Sequence, residues 1–76
     1  MSRGRFSIAF ARVLRRERLA RGLSQEKLAH AAGLHRTYVG LIERGMRNAT
    51  IDVGHALSRA LGVRFSELIQ EAEKKV

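Results

Sequence analysis

Residues 24–45 read SQEKLAHAAGLHRTYVGLIERG and contain two short helical patterns joined at one glycine. A helix over residues 25–32 is predicted by three apolar residues at helical spacing, Leu28, Ala29 and Ala32. Ser24 supplies a side-chain oxygen that can accept a hydrogen bond from a free amide in the first turn. Gly33 stands where a helix ends in a left-handed residue, so the chain is expected to turn there.

A second helical pattern follows this turn and covers residues 36–44. Val39, Ile42 and the bulk of Tyr38 form its apolar stripe, and Gly45 is its stop signal. Two helices joined so tightly cross steeply. Ala29 lies where the second helix must approach the first. A side chain larger than a methyl group there would push the two helices apart. The spacing therefore predicts a helix-turn-helix.

The segments LSQEKLAHAAGL and TYVGLIERG, taken together, resemble the phage repressor and Cro family of helix-turn-helix regulators, the XRE-like domains. The resemblance extends from about Arg12 to Ile69. It implies an all-α fold of the lambda-repressor-like DNA-binding type, a compact five-helix bundle in which helices two and three form the helix-turn-helix. We expect a single domain over residues 1–76, with helices at about residues 6–21, 25–32, 36–44, 51–61 and 65–73.

The charge of the chain favours a polyanionic partner. Its 76 residues include 15 Lys and Arg against 7 acids, for a formal charge of +8 and a pI near 11.5. Nucleic acid is the obvious partner. A basic amphipathic helix such as the first one can also lie on an anionic membrane. The folded segments predicted downstream instead favour a helix whose basic face is exposed to solvent.

Residues and segments that are absent from the sequence limit the possible compartment and cofactors. Cysteine is absent, which excludes disulfides and thiolate metal sites and fits a reducing compartment. No apolar run approaches the roughly 20 residues of a membrane span, and the opening residues MSRGR lack the apolar core of a signal peptide. We expect a cytoplasmic protein with no membrane partner.

Base-reading residues are expected on the exposed side of the first turns of helix three, because sequence is read by side chains at base edges in the major groove. Arg36 can donate two hydrogen bonds to guanine, or it contacts a phosphate instead. Thr37 offers a hydroxyl or a methyl group, and Leu41 can touch a thymine methyl. Gly40 has no side chain and would let its neighbours lie closer to the groove floor.

Phosphate contacts are expected from residues around this helix. The resemblance implies that Gln25 bonds a phosphate and braces the first base-reading residue, the alternative being a solvated glutamine. His35 stands where the family usually has a capping serine or threonine, so it caps the helix or contacts a phosphate. Tyr38 can direct its hydroxyl to phosphate or pack as a half-buried aromatic. The loop after helix three adds three residues placed to clamp the backbone, each of which could equally be idle: Arg44, Arg47 and Asn48.

Other residues are expected to support the site or the assembly. The resemblance implies that Arg18 reaches Glu43 at the end of helix three, a pair that we interpret as structural, like Ala29 and Gly33. Helix five carries many apolar residues for the small core that a chain of this length can form. Part of its stripe is therefore expected to face a second subunit, unless all of it packs inward. The stripe consists of Phe65, Leu68, Ile69 and Ala72.

Enzyme chemistry is not expected. His30, His35 and His55 have neither the spacing of a helical metal pair nor attendant carboxylates, and no nucleophile lies in a recognisable turn. No cofactor, metal or small-molecule effector is indicated. The expected function is that of a sequence-specific regulator, a repressor, which binds double-stranded DNA as a homodimer at a pseudo-palindromic operator. The alternative is a protein-interaction or antitoxin-like module with the same fold, in which DNA binding is secondary.

Overall fold

The computed structural model describes residues 4–76, and every regular element in this range is an α-helix. The expected all-α fold is confirmed. Residues 1–3, part of the expected single domain and of the segment expected not to be a signal peptide, lie outside the described range. The five helices are α1 Arg5–Ala20, α2 Gln25–Ala32, α3 Arg36–Glu43, α4 Ile51–Leu61 and α5 Phe65–Glu73.

The helix ends lie close to the positions that the sequence predicts. Only three boundaries differ, each by one residue: the two ends of α1 and the end of α3. The hydroxyls of Ser24 and Thr50 accept hydrogen bonds from backbone amides in the first turns of α2 and α4, at 3.0 and 3.1 Å. Gly33 ends α2 with φ of 73°, a left-handed conformation that glycine adopts without strain.

The core lies between the long first helix and the four shorter ones. α1 packs against α5 and α3, while α2 packs against α3 and α4. Ala29 lies in this core with 1% exposure, on the helix that crosses α3. The core side chains of α1 are Ala9, Phe10, Val13 and Leu14, and those of the other helices include Leu28, Val39, Ile42, Leu57 and Leu61.

Helix α5 places its apolar residues differently from the prediction. Leu68 and Ala72 are 2% and 0% exposed, so the expectation that they face a second subunit is wrong. The physical reason is that α5 lies against both α1 and α4, and the 16-residue α1 is long enough to cover its inner face. Phe65 and Ile69 are only half-buried and remain at the surface.

Within residues 4–76, no helix is both long enough and apolar enough to cross a membrane.

Candidate DNA interface

The exposed start of α3 forms the centre of the interface. His35 precedes the helix, and its Nδ1 accepts a hydrogen bond from the Thr37 amide at 3.1 Å, so this histidine caps α3. The side chain of Arg36 is 67% exposed, and Thr37 is exposed beside it. Leu41, one turn further along, is half-buried. Three of the four residues predicted to read bases thus reach the surface.

The fourth residue, Gly40, does not. It is buried, and a Cβ at this position would stand 3.3 Å from Oε1 of Gln25. The prediction that Gly40 lies on the exposed side is therefore wrong. The reason is that the first residue of α2 lies across this part of α3, so Gly40 provides the space that the Gln25 side chain occupies.

A buried ion pair fixes the far end of α3. Arg18 donates from Nε and Nη2 to the two carboxylate oxygens of Glu43, at 2.7 and 2.9 Å, and from Nη1 to the Leu23 carbonyl at 2.8 Å. The Glu43 side chain is only 2% exposed. Charge-assisted bidentate pairs of this kind are strong and geometrically specific. The pair holds α3 against α1.

Gln25 completes this network. Its Nε2 donates to Oε1 of Glu43 at 3.0 Å, which ties the start of α2 to the end of α3. The prediction that Gln25 braces the first base-reading residue is wrong for this structure, because Gln25 contacts the opposite end of the helix. The residue beside Arg36 is instead Glu26, whose Oε2 lies 3.7 Å from Nη1 of Arg36.

Glu26 was missed by the sequence analysis. The sequence shows only an acid in the first turn of α2, and its approach to Arg36 depends on how α2 and α3 cross.

The loop after α3 extends the same surface. Arg44, Arg47 and Asn48 are all exposed. The guanidinium of Arg47 lies 5.2 Å from the centroid of the Tyr38 ring, a cation–π distance that holds this arginine beside α3. Tyr38 is half-buried, so it packs as an aromatic platform.

The N-terminal end of α2 and the outer side of α3 together form a polar hollow, which we call the recognition cleft. Within residues 4–76, no group of histidine and carboxylate side chains is arranged to hold a metal ion. The cleft presents hydrogen-bonding side chains and charges. It is lined by Gln25, Glu26, Arg36, Thr37, Gly40 and Arg44.

The family model described as helix-turn-helix matches residues 14–68, most of the chain. The chain belongs to the helix-turn-helix family. It is 44% identical over 63 residues to the control protein C.BamHI of Bacillus amyloliquefaciens, a match that covers 82% of this chain and 78% of that protein. It is also 40% identical over 65 residues to the uncharacterized HTH-type transcriptional regulator y4dJ of Sinorhizobium fredii, covering 86% and 79% of the two chains.

The solved structures agree with this assignment. The restriction-modification controller protein C.AhdI from Aeromonas hydrophila superposes with a TM-score of 0.79 at 45% identity, covering 82% of this chain and 94% of that chain. The XRE-like resemblance seen in the sequence is confirmed. As a member of the helix-turn-helix family, the protein is a DNA-binding transcriptional regulator with α3 as its recognition helix.

Proposed function

We propose that this helix-turn-helix regulator acts as a repressor, binding as a homodimer to a pseudo-palindromic operator in the cytoplasm without enzymatic activity or a small-molecule effector. The observation that carries this proposal is the recognition cleft. Arg36 and Thr37 project from a helix whose position is fixed by the buried contacts among Arg18, Gln25 and Glu43. A rigid helix with exposed donors is what reading base edges requires.

Direct readout is assigned first to Arg36. Its guanidinium is two-thirds exposed and can donate two hydrogen bonds to O6 and N7 of a guanine. Thr37 adds a hydroxyl and a methyl group next to it, and Leu41 provides a half-buried apolar contact for a thymine methyl.

Phosphate binding is assigned to the surrounding donors. Gln25 uses one N–H of its amide on Glu43 and keeps the second for a phosphate oxygen. His35 uses Nδ1 to accept the capping hydrogen bond, so Nε2 is the ring nitrogen left for a phosphate contact. Arg44, Arg47 and Asn48 supply further contacts from the C-terminal end of α3 and the loop after it.

The dimer face is assigned to an apolar groove between the start of α1 and the helices α4 and α5. Ile51 is 79% exposed at the edge of this groove, and Phe6 is 37% exposed. Phe65 and Ile69 line it as half-buried residues. We propose these four residues as the dimer face in place of the buried Leu68 and Ala72.

The geometry of the groove suits a two-fold dimer on DNA. Arg47 lines the groove and also contacts Tyr38 of the recognition helix, so the two surfaces adjoin. A dimer must present its two recognition helices to major grooves about 34 Å apart. The longest dimension of one protomer is 29 Å, which is compatible with this spacing when two copies lie side by side.

The assembly is tested by sedimentation of the protein alone and with an operator duplex. Ile51→Ser should weaken the dimer without unfolding the protomer, because Ile51 is mostly exposed. Leu19→Ser is the matched control, since Leu19 is 52% exposed outside the groove. Wild-type protein that stays monomeric at high concentration and binds DNA as a single copy would contradict the dimer.

DNA binding is tested by titration against salt. Affinity should fall steeply, and Arg47→Ala should reduce the slope of log K against log salt by about 0.9 for each bound protomer, the value for one phosphate. Arg59→Ala is the matched control, because Arg59 lies on α4 beside a different hollow, which shares no residue with the recognition cleft. Salt-insensitive self-association without duplex binding would favour the protein-interaction alternative.

A further inference from the structure

Glu26 stands out among the acids because of its position. Within the part of the chain that the structure describes, it is the one carboxylate that lines the recognition cleft. Its side chain is 71% exposed, and its Oε2 lies 3.7 Å from the guanidinium of Arg36. The remaining cleft residues are polar, basic or glycine. When DNA fills the cleft, a carboxylate here would lie near the phosphates that the surrounding arginines are proposed to bind.

Stability alone does not account for this placement. Exposed ion pairs contribute little to folding, because solvent screens them and two long side chains must be ordered. Glu26 does stand in the first turn of α2, where an acid interacts favourably with the helix dipole. That interaction needs no contact with Arg36. Neither the helix dipole nor a gain in stability therefore explains why Glu26 lies beside Arg36.

From this contact we propose that Glu26 is a specificity-determining residue that orients Arg36 and disfavours DNA lacking the matching guanine. The inference rests on the proposed base-reading role of Arg36. An arginine has five N–H donors in a planar fork, so a contact through Nη1 leaves another edge free for guanine.

Matching and random DNA sites then differ in whether they compensate for the repulsion between the Glu26 carboxylate and the phosphates. On a matching site, the bidentate contact with guanine compensates for bringing the Glu26 carboxylate near the phosphates. On a random site this contact is missing, and the repulsion between carboxylate and phosphate remains. Glu26 thus lowers non-specific affinity more than specific affinity, which raises the specificity ratio.

The test compares Glu26→Gln with Glu73→Gln, each of which removes one negative charge. Glu73 is exposed at the end of α5 and lies outside the cleft. Binding is measured at one salt concentration to the operator selected by the wild-type protein and to a scrambled duplex. Relative to the control, Glu26→Gln should lower the ratio of specific to non-specific affinity by about twofold to fivefold, the range that exposed charge pairs support.

A double variant separates this role from a structural one. In an Arg36→Ala background, Glu26→Gln should no longer change the specificity ratio, because the partner that it orients is absent. Equal ratios for Glu26→Gln and Glu73→Gln would overturn the inference even if Arg36→Ala loses its preference for guanine. If Arg36→Ala kept the wild-type preference, the base-reading role would fail, and the inference for Glu26 would fail with it.

Discussion

Two glycines lie buried inside helices of this protein, and they face neighbours of different kinds. A Cβ on Gly40 would stand 3.3 Å from Oε1 of Gln25, the end of a flexible polar side chain. A Cβ on Gly54 would stand 2.9 Å from two ring atoms of Phe65 and 3.6 Å from Phe10. The first glycine makes room for the amide of Gln25, and the second makes room for the aromatic ring of Phe65.

The surroundings of the two glycines differ in the same way. The region around α2 and α3 is held by directional polar contacts, with Glu43 accepting from Arg18 and Gln25. The region around α4 and α5 is held by packing, in which the rings of Phe10 and Phe65 meet edge to face at 6.2 Å. Substitutions in the first region should therefore affect base reading as well as folding, whereas those in the second should affect folding and the proposed dimer face but not base reading.

The largest effect is expected for Glu43→Ala. This change leaves the guanidinium of Arg18 buried without its carboxylate, and breaking a buried pair in this way costs about 3–5 kcal/mol of unfolding free energy. Chemical denaturation measures the loss, with Glu73→Ala as an exposed control. A Glu43→Ala protein as stable as the control, with altered site preference, would remove the structural role from the pair and weaken the contrast between the regions.

Gly54→Ala should destabilise the protein through packing. Alanine gains about 1 kcal/mol in helix propensity, but forcing a methyl group into a packed site costs about 1–3 kcal/mol. We expect a net loss of about 1 kcal/mol, because the approach to Phe65 is too close for a small adjustment. The base preference of the folded protein should not change, because Gly54 lies outside the recognition cleft.

The double variant Gly54→Ala, Phe65→Leu isolates this cause. With the ring removed, alanine at position 54 should be neutral or stabilising relative to Phe65→Leu alone. An alanine that destabilises both backgrounds equally would show that Phe65 is not the obstacle.

Gly40→Ala should have the opposite profile. Its Cβ meets the end of the Gln25 side chain, so a gain of up to about 1 kcal/mol in helix propensity is offset by the weakened hydrogen bond from Gln25 to Glu43, and stability should change little. Operator affinity should fall by about twofold to tenfold, the value of a single hydrogen bond, because the displaced amide loses its phosphate. Gln25→Ala should cause a similar loss, and combining the two changes should add little. Full additivity would argue against a shared cause.

The smallest effect concerns acid stability. Hydrogen bonds from Arg21 and then Arg16 hold the pKa of Glu17 below its usual value of 4.5. A lowered folded-state pKa contributes stability above that usual value, which is lost as the pH falls through the folded pKa. Glu17→Gln should therefore reduce stability at neutral pH by less than about 1 kcal/mol and make little difference in acid. Unfolding curves at both pH values check this, and an equal loss at both would exclude the ion pair as its source.

The sequence was most informative where interactions are local or belong to a motif. Ser24 was identified as a cap from its place before the first helical pattern, and the pair of Arg18 with Glu43 followed from the family resemblance. Helical spacing placed most helix boundaries because the apolar stripes and the stop glycines agree.

The errors arose where burial depends on how helices meet. Gly40 and Gln25 were misplaced because periodicity does not show which part of α2 crosses α3. Leu68 and Ala72 were included in the stripe expected to face a second subunit because residue spacing on α5 does not show how much of it α1 and α4 cover. Tertiary packing, not local propensity, decides these positions.

In the proposed complex, two copies of α3 read a symmetric operator through Arg36. Selection of bound sites from random duplex DNA tests it most directly, with wild-type protein and Arg36→Ala compared side by side. The wild type should select an inverted repeat whose half-sites lie about one helical turn apart. Arg36→Ala should select the same repeat but accept any base at one position in each half-site where the wild type selects guanine. An unchanged motif for Arg36→Ala, or selection without any repeat, would contradict it.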